Sequence, residues 1–264
     1  MLSRVKQILK TKIKKEHIHW HMLNKHLHFK NKKVLEIGCG EGDLTKYIAR
    51  NKGVDYIIGT DYDLKMWGKK PQKEDKWQIL SADARNLMFE DNTFDICFSI
   101  GVFEHINGLD AALNEINRVL KPNGLCYAYF EPIWTSIIGH HFYFWIKEDL
   151  WLLPPWGHLF MTAQEMHDYI INIQKRDVDF ANKAVKWIYE SDIINRTTRT
   201  EYFSFINENP MSVTFLRELQ RVHRQNKAVN EFNNLTDGQQ DVLLKKYTKR
   251  ELFVGGFELV MQKQ

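Results

Sequence analysis

The 264 residues hold only three cysteines, Cys39, Cys97 and Cys126, and no Cys-x-x-Cys pair. An odd, scattered set of thiols argues against a disulfide scaffold, and a reducing cytoplasm is the expected home. Long hydrophobic runs are also lacking. No stretch approaches the roughly 20 apolar residues of a spanning helix, and the richest, residues 133–146, is broken by Gly139, His140 and His141. Lys and His interrupt the apolar residues of the basic N-terminus, so no signal-peptide core is expected. Nor is there an excess of one charge. Lys and Arg total 37 against 33 Asp and Glu, and the resulting +4 is too small to argue nucleic-acid binding.

What is present is 44% hydrophobic residues, which excludes wholesale disorder. At this length the chain buries roughly three-quarters of its unfolded surface, as one domain or one domain with a large insertion. Residues 1–27 read as a basic amphipathic helix, with Leu2, Val5, Leu9 and Ile13 at helical spacing. Such a helix packs one face on the domain; its alternative use is peripheral contact with an anionic membrane surface.

From residue 32 short apolar runs alternate with helical segments. Strands are expected at Lys33-Val-Leu-Glu-Ile-Gly38, Tyr56-Ile-Ile-Gly-Thr-Asp61, Trp77-Gln-Ile-Leu-Ser-Ala-Asp83, Phe94-Asp-Ile-Cys-Phe-Ser99 and Leu125-Cys-Tyr-Ala-Tyr-Phe130, with helices over 44–51 and 109–120. This alternation predicts an α/β, doubly wound, mostly parallel sheet with helices on both faces, and ligands beyond the carboxyl ends of its strands. Residues 132–160 then hold four of the eight tryptophans and three of the six prolines. Thr162-Ala-Gln-Glu165 has the form of a capping box, residues 180–248 read as mostly helical, and 251–261 as a closing strand. The expected domains are therefore an N-terminal helical segment, 1–31, a core of 32–131 plus about 250–264, and an aromatic and helical insertion, 132–249, that recognises substrate.

The chemistry is concentrated at the strand ends. Glu36-Ile-Gly38-Cys-Gly40-Glu-Gly42 places alternate glycines between a strand and a helix, where backbone N–H groups can approach a ligand closely. Asp61 ends the second strand, 19 residues after Gly42, where a carboxylate can accept from both ribose hydroxyls. Asp83 ends the third and can accept from an adenine amine. Ser99-Ile-Gly-Val-Phe-Glu104-His105 follows the fourth and faces the reacting group. Together these describe an adenosine ligand without a pyrophosphate.

Over residues 32–131 and the closing strand, the sequence resembles the class I S-adenosylmethionine-dependent methyltransferases of the small-molecule type, with a seven-stranded-type Rossmann-like sheet. The resemblance rests on Val34-Leu-Glu-Ile-Gly-Cys-Gly-Glu-Gly42, Gly59-Thr-Asp61, Ser81-Ala-Asp83-Ala84, Phe94-Asp95, Glu104-His105-Ile106 and Arg118-Val-Leu-Lys-Pro-Asn-Gly124. It implies S-adenosylmethionine as cofactor and S-adenosylhomocysteine as product. It also implies that Glu36, Gly38, Gly40 and Gly42 line the methionine and ribose part and that Asp61 binds the ribose, with Tyr62 beside the adenine. Asp83 and Ala84 would then meet the adenine, and Ser99, Ile100 and Gly101 the methionine end. A nicotinamide dehydrogenase would need glycine where Asp43 stands. No Gly-Lys-Ser/Thr marks a P-loop, and no His-Glu-x-x-His marks a zincin.

An alcohol acceptor needs a base, and histidine is the natural one. His105 lies after the fourth strand; His140, His141 and His158 lie in the aromatic segment. His105, His141 and His158 are the catalytic candidates. Five histidines crowd 17–28, and His17 and His21 form an i, i+4 pair, but no complete ligand set accompanies them and no metal is expected. An Asp/Asn-Pro-Pro-Tyr motif is absent, which argues against nucleic-acid bases and glutamine amides as targets. The expected activity is methyl transfer to a small or medium-sized acceptor, favouring oxygen on a sugar, glycan or related metabolite. Its rivals are a catalytically inactive S-adenosylmethionine-binding module acting through partners, and methylation of an RNA or lipid-surface acceptor.

Overall fold

The structure is a computed structural model that describes residues 18–142, 151–220 and 222–264, with the side chains of 222–227 left aside. The expected helix over residues 1–27 lies outside these residues except at its end, where 18–23 form α1. Eight strands make one sheet: β1 (Lys33–Ile37), β2 (Tyr56–Asp61), β3 (Gln72–Glu74), β4 (Trp77–Ser81), β5 (Phe94–Ile100), β6 (Leu120–Phe130), β7 (Ser212–Leu219) and β8 (Gly256–Gln262). Their order is β3-β4-β2-β1-β5-β6-β8-β7. β4, β2, β1, β5 and β6 pair in parallel, while β3, β8 and β7 pair antiparallel.

The central strands are near-continuously apolar because both faces of the sheet are covered. Their period of two divides them between two cores. Leu35, Ile37, Cys97, Ala128 and Leu259 face α3 (Leu109–Val119) and α7 (Arg199–Glu208). Val34, Ile57, Ile96, Phe98 and Tyr127 face α2 (Asp43–Asn51) and the segment around Leu23, Leu27 and Phe29. Leu109, Ala112, Leu113, Ile116 and Val119 form the buried stripe of α3 at helical spacing.

A third core lies beyond β6. Trp134, Phe142, Leu153, Trp156 and Ile188 pack with Phe232 and Leu243, joining α4 (Gly157–Phe160), α5 (Ala163–Asn172), α6 (Val178–Val185) and a π-helical turn (Lys186–Glu190) to α8 (Val222–Asn234), α9 (Asp237–Leu244) and α10 (Lys249–Phe253). Trp134 and Trp156 of the tryptophan-rich segment are thus interior to this cap, with Trp151 packed against it. The Trp156 indole N–H, at the centre, donates to the carbonyls of Thr135 at 3.2 Å and Leu252 at 3.3 Å.

Two expectations need correction. The stretch 132–249 is not wholly a helical insertion, because β7 belongs to the sheet and Tyr202 and Ile206 of α7 enter its core. β7 was hidden because it is an edge strand whose first three residues are exposed, leaving no run of apolar residues. The closing strand is also shorter than 251–261, since α10 occupies 249–253. The capping box at Thr162 and Glu165 is present: Thr162 Oγ1 accepts from Glu165 N–H at 3.2 Å, and Glu165 Oε2 accepts from Thr162 N–H at 2.7 Å. The three cysteines are free and buried. Among the described residues no helix is long and apolar enough to cross a membrane.

Candidate functional site

Strand order reverses between β1 and β5, because the chain moves outward through β2 and β4 on one side and through β6 on the other. Neighbouring loops therefore diverge there and leave a crevice beyond the carboxyl ends. The expected cofactor residues lie at the ends of β1, β2, β4 and β5, which are consecutive in the sheet. Residues far apart in sequence are thereby brought to one rim.

The glycine loop folds as its sequence requires. Gly38, Gly40 and Gly42 have φ of 74°, 54° and 76°, in the left-handed region that side chains disfavour. A Cβ on Gly38 would stand 2.2 Å from Val102 Cγ2, and one on Gly42 2.0 Å from Ile79 Cδ1. At Gly40 the nearest atoms would be those of the Trp67 ring, at an ordinary contact distance of 3.6 Å, so this glycine is free of the clash that its neighbours would meet. Gly42 opens α2 with no side-chain cap, which leaves the positive end of that helix directed to the crevice.

Asp61 holds the loop in place. Its Oδ2 accepts from Gly40 N–H at 2.8 Å and its Oδ1 from Asp63 N–H at 3.2 Å. Each carboxylate oxygen keeps accepting capacity for a ribose hydroxyl. Tyr62, next to it, is 74% exposed. Glu36 is buried and accepts a hydrogen bond from the Thr45 hydroxyl on α2. Burial pushes its pKa up to about 7 despite that bond.

Other site residues are committed within the protein. Asp83 accepts from the Arg85 backbone N–H at 2.9 Å and from its guanidinium at 2.7 to 3.2 Å. That guanidinium, through its hydrogen bonds, holds the carboxyl below its usual range. Little acceptor capacity is left there for an adenine amine. Ala84 follows, half-buried against the main core. The buried Ser99 hydroxyl donates to Ile37 O at 3.1 Å, and Gly101 N–H to Tyr129 O at 2.7 Å, so both fasten β5 to its neighbours. The backbone of Ile100 lies between them, at the end of β5.

The structure brings together two of the three candidate bases. His105 sits in the 3-10 turn Phe103–His105, and its ring lies 5.0 Å from that of His141, centroid to centroid. His158 is set against Trp134 instead, at 4.7 Å, with its Nε2 bonded to Trp134 O at 2.8 Å. Burial lowers the pKa of all three, His141 to about 3 and His158 to about 4, so each is neutral at pH 7. The adjacent Glu104 is 2% exposed, and burial pushes its pKa up to about 8.

Sequence reasoning missed several participants. Trp67 over Gly40 and Arg85 on Asp83 arise from loops without a periodic signal. Asn195, remote in sequence, pins the Glu104 turn: its side-chain amide donates to Phe103 O at 2.8 Å and Ile106 O at 3.1 Å. Within the histidine-rich stretch, His26 lies 3.6 Å from the buried Glu258 carboxylate and packs on Phe215 at 4.5 Å, a structural position.

Comparison with known proteins agrees with this geometry. Residues 35–128 match a family described as a methyltransferase domain. The chain is 28% identical over 184 residues to a demethylmenaquinone methyltransferase of Staphylococcus haemolyticus, covering 65% of this chain and 72% of that one. It is 35% identical over 109 residues to a sterol 24-C-methyltransferase of Saccharomyces cerevisiae, covering 39% of this chain and 28% of that one. Among solved structures, an S-adenosylmethionine-dependent methyltransferase from Mesorhizobium loti superimposes with a TM-score of 0.55 at 14% identity, covering 92% of this chain and 96% of that one. The glycine cradle, the strand-end carboxylates and the switch-point crevice fit that cofactor, and residues 35–128 carry a methyltransferase domain, consistent with the class I S-adenosylmethionine-dependent methyltransferases.

Proposed function

We propose that this methyltransferase acts on an oxygen of a small hydroxylated acceptor, such as a sugar or related metabolite. One observation carries the reading. Glu104 Oε2, Thr135 Oγ1, Ser136 Oγ and His158 Nδ1 are buried without a hydrogen-bond partner in the protein. Leaving such groups unsatisfied costs about 1–3 kcal/mol each, so they are best read as partners for a polar ligand. All four come from the turn after β5 or from the segment after β6.

S-adenosylmethionine supplies the methyl group as a sulfonium. Asp61 and the Gly38–Gly42 loop are assigned its ribose and methionine portion, Glu36 the floor of the cradle, and Tyr62 and Ala84 the adenine edge. Asp83 contributes there mainly by fixing Arg85. Beyond the crevice, the cap built from 132–142, 151–194 and 228–253 closes over the acceptor and excludes water, so that positioning supplies much of the rate. With the cofactor bound, its methyl group would pass to the acceptor oxygen as the C–S electron pair returns to sulfur, and a neutral imidazole of the His105–His141 pair would take the hydroxyl proton. His158 holds the acceptor through its Nδ1.

The likeness to the demethylmenaquinone enzyme favours a second reading, methylation at a quinone ring. Incubation with radiolabelled S-adenosylmethionine, sugar and polyol pools, and a demethylmenaquinone analogue separates the two. Label in a hydroxylated product supports the first reading. Label only in the quinone overturns it. Cofactor binding without turnover on any pool points instead to a binding module.

A further inference from the structure

Glu104, His105 and His141 are arranged as a ligand set. One potential ligand atom from each lies within 4.8 Å of those of the other two. His105 Nδ1 bonds to Ile193 O at 2.7 Å, and His141 Nδ1 to Gly139 O at 2.8 Å. Because carbonyl oxygens only accept, the ring protons sit on Nδ1 and both Nε2 atoms carry lone pairs. Outer hydrogen bonds of this kind orient metal-binding imidazoles and fix their tautomer. The third group is the Glu104 carboxyl, which is 2% exposed, whose Oε2 has no partner in the protein, and which would give up its proton on binding a cation. The turn that carries it is held rigidly, since Asn195 N–H also donates to Glu104 O at 3.1 Å.

We propose that Glu104, His105 and His141 bind a divalent transition-metal ion at the acceptor end of the crevice. Two imidazoles and one carboxylate suit zinc, iron(II) or manganese better than calcium, and leave coordination positions open. The metal-like pair read from the sequence, His17 and His21, shares no residue with this set. At this site the ion would hold the acceptor hydroxyl and lower its pKa, so that the proton is lost to water. The oxygen then takes the methyl carbon while the C–S electron pair returns to sulfur. In that case His105 and His141 serve as ligands rather than as the base. This use of the ion rests on the oxygen-acceptor reading above, whereas the site rests on its own geometry.

Calorimetric titration of the EDTA-treated full chain with MnCl2, in the presence of S-adenosylhomocysteine, tests the site, with electron paramagnetic resonance of free Mn2+ as the second readout. One Mn2+ per chain is expected. Its affinity should fall by at least about tenfold in Glu104→Gln, His105→Asn and His141→Asn, and stay unchanged in the His17→Ala/His21→Ala double variant. S-adenosylhomocysteine affinity reports the fold of each variant. Half-buried His105 is the position whose replacement disturbs the core least, so His105→Asn decides if the buried variants fail to fold. No Mn2+ binding by the parent, or unaltered affinity in His105→Asn with S-adenosylhomocysteine binding intact, overturns the proposal. Loss confined to the N-terminal double variant overturns it too. A chain that binds Mn2+ through these residues but methylates no hydroxyl keeps the metal site and removes the oxygen-acceptor reading.

Discussion

Two helices that follow the glycine turns, α2 and α3, and four helices later in the chain begin in opposite ways. α2 and α3 start at Gly42 and Gly108, both left-handed, with no side chain closing the first turn. In the cap and its flank, α5, α7, α9 and α10 start at Thr162, Thr198, Thr236 and Thr248, each with a complete capping box to Glu165, Glu201, Gln239 and Glu251. A capped helix satisfies its own N-terminal N–H groups, whereas an uncapped one offers them to solvent or to a ligand. The glycine starts of α2 and α3 follow the strand-end loops, whereas the threonine starts close helices that hold their shape, among them α7 against the sheet core. The cofactor half is specified by backbone geometry and strand order. The cap is specified by a side-chain core and by local caps.

The sharpest way to break that division is Trp156→Ala. The side chain is fully buried at the centre of the cap core, and its indole N–H serves two carbonyls. Its removal should cost about 3–5 kcal/mol, read by chemical denaturation. If the halves are separable, turnover falls steeply while S-adenosylhomocysteine affinity changes little. Loss of both together would show that the cap and the sheet fold as one cooperative unit.

Asp61→Ala addresses the other half. It removes the acceptor of the Gly40 N–H and the proposed ribose contact together. Hydrogen bonds to a charged group are worth about 1.5–3 kcal/mol each, so cofactor affinity should drop by roughly 100-fold. Calorimetry with S-adenosylmethionine checks this, and an unchanged affinity would remove Asp61 from the site.

The unequal visibility of the two halves in the sequence follows from the same contrast. Gly38, Gly40 and Gly42 were legible because a left-handed backbone leaves a residue type as its mark. Asp61 and Asp83 were legible because strand ends can be read from period and composition. Ser99 lies near the end of β5, as the strand pattern predicts, but its hydroxyl is taken by Ile37 O, which only the register of β1 with β5 could reveal. The engagement of Asp83 by Arg85 was equally invisible, since loop residues two apart carry no signal of pairing. The other three capping boxes follow the same Thr-x-x-Glu/Gln pattern as Thr162 and were readable in principle. β7 and the meeting of His105 with His141 depend on long-range packing and left no local trace.

A pH-dependent effect tests whether the floor of the cofactor half is strained by burial. Glu36 has its pKa raised from 4.5 to about 7, chiefly by burial. Between these values the folded chain holds a proton that the unfolded chain releases, so stability falls as pH rises through the window and the loss is complete above pH 7. The cost at pH 8 is about 3 kcal/mol. Glu36→Gln keeps an oxygen that can accept from Thr45 but lacks the charge. Denaturation curves should therefore show the variant gaining on the parent from pH 5 to pH 8, with no difference near pH 4. A constant offset at every pH would mean that Glu36 is not the titrating group.

The smallest expected effect lies at the edge of the cap. Thr162→Ala removes the oxygen that accepts the Glu165 N–H, and leaves Glu165 without the hydroxyl that donates to its Oε2 at 2.9 Å. Loss of such a cap costs about 1 kcal/mol. Equilibrium denaturation should register that loss with cofactor affinity unchanged, because α5 packs on α6 within the cap and its own first turn does the capping. Placing the mirror change on the sheet side sharpens the comparison. Gly42→Ser would add a hydroxyl able to cap α2, yet its Cβ would sit 2.0 Å from Ile79 Cδ1 on a backbone with φ of 76°. The residue type that stabilises the start of a cap helix should therefore destabilise the start of α2, because there the turn is shaped for close approach of a ligand and not for self-closure.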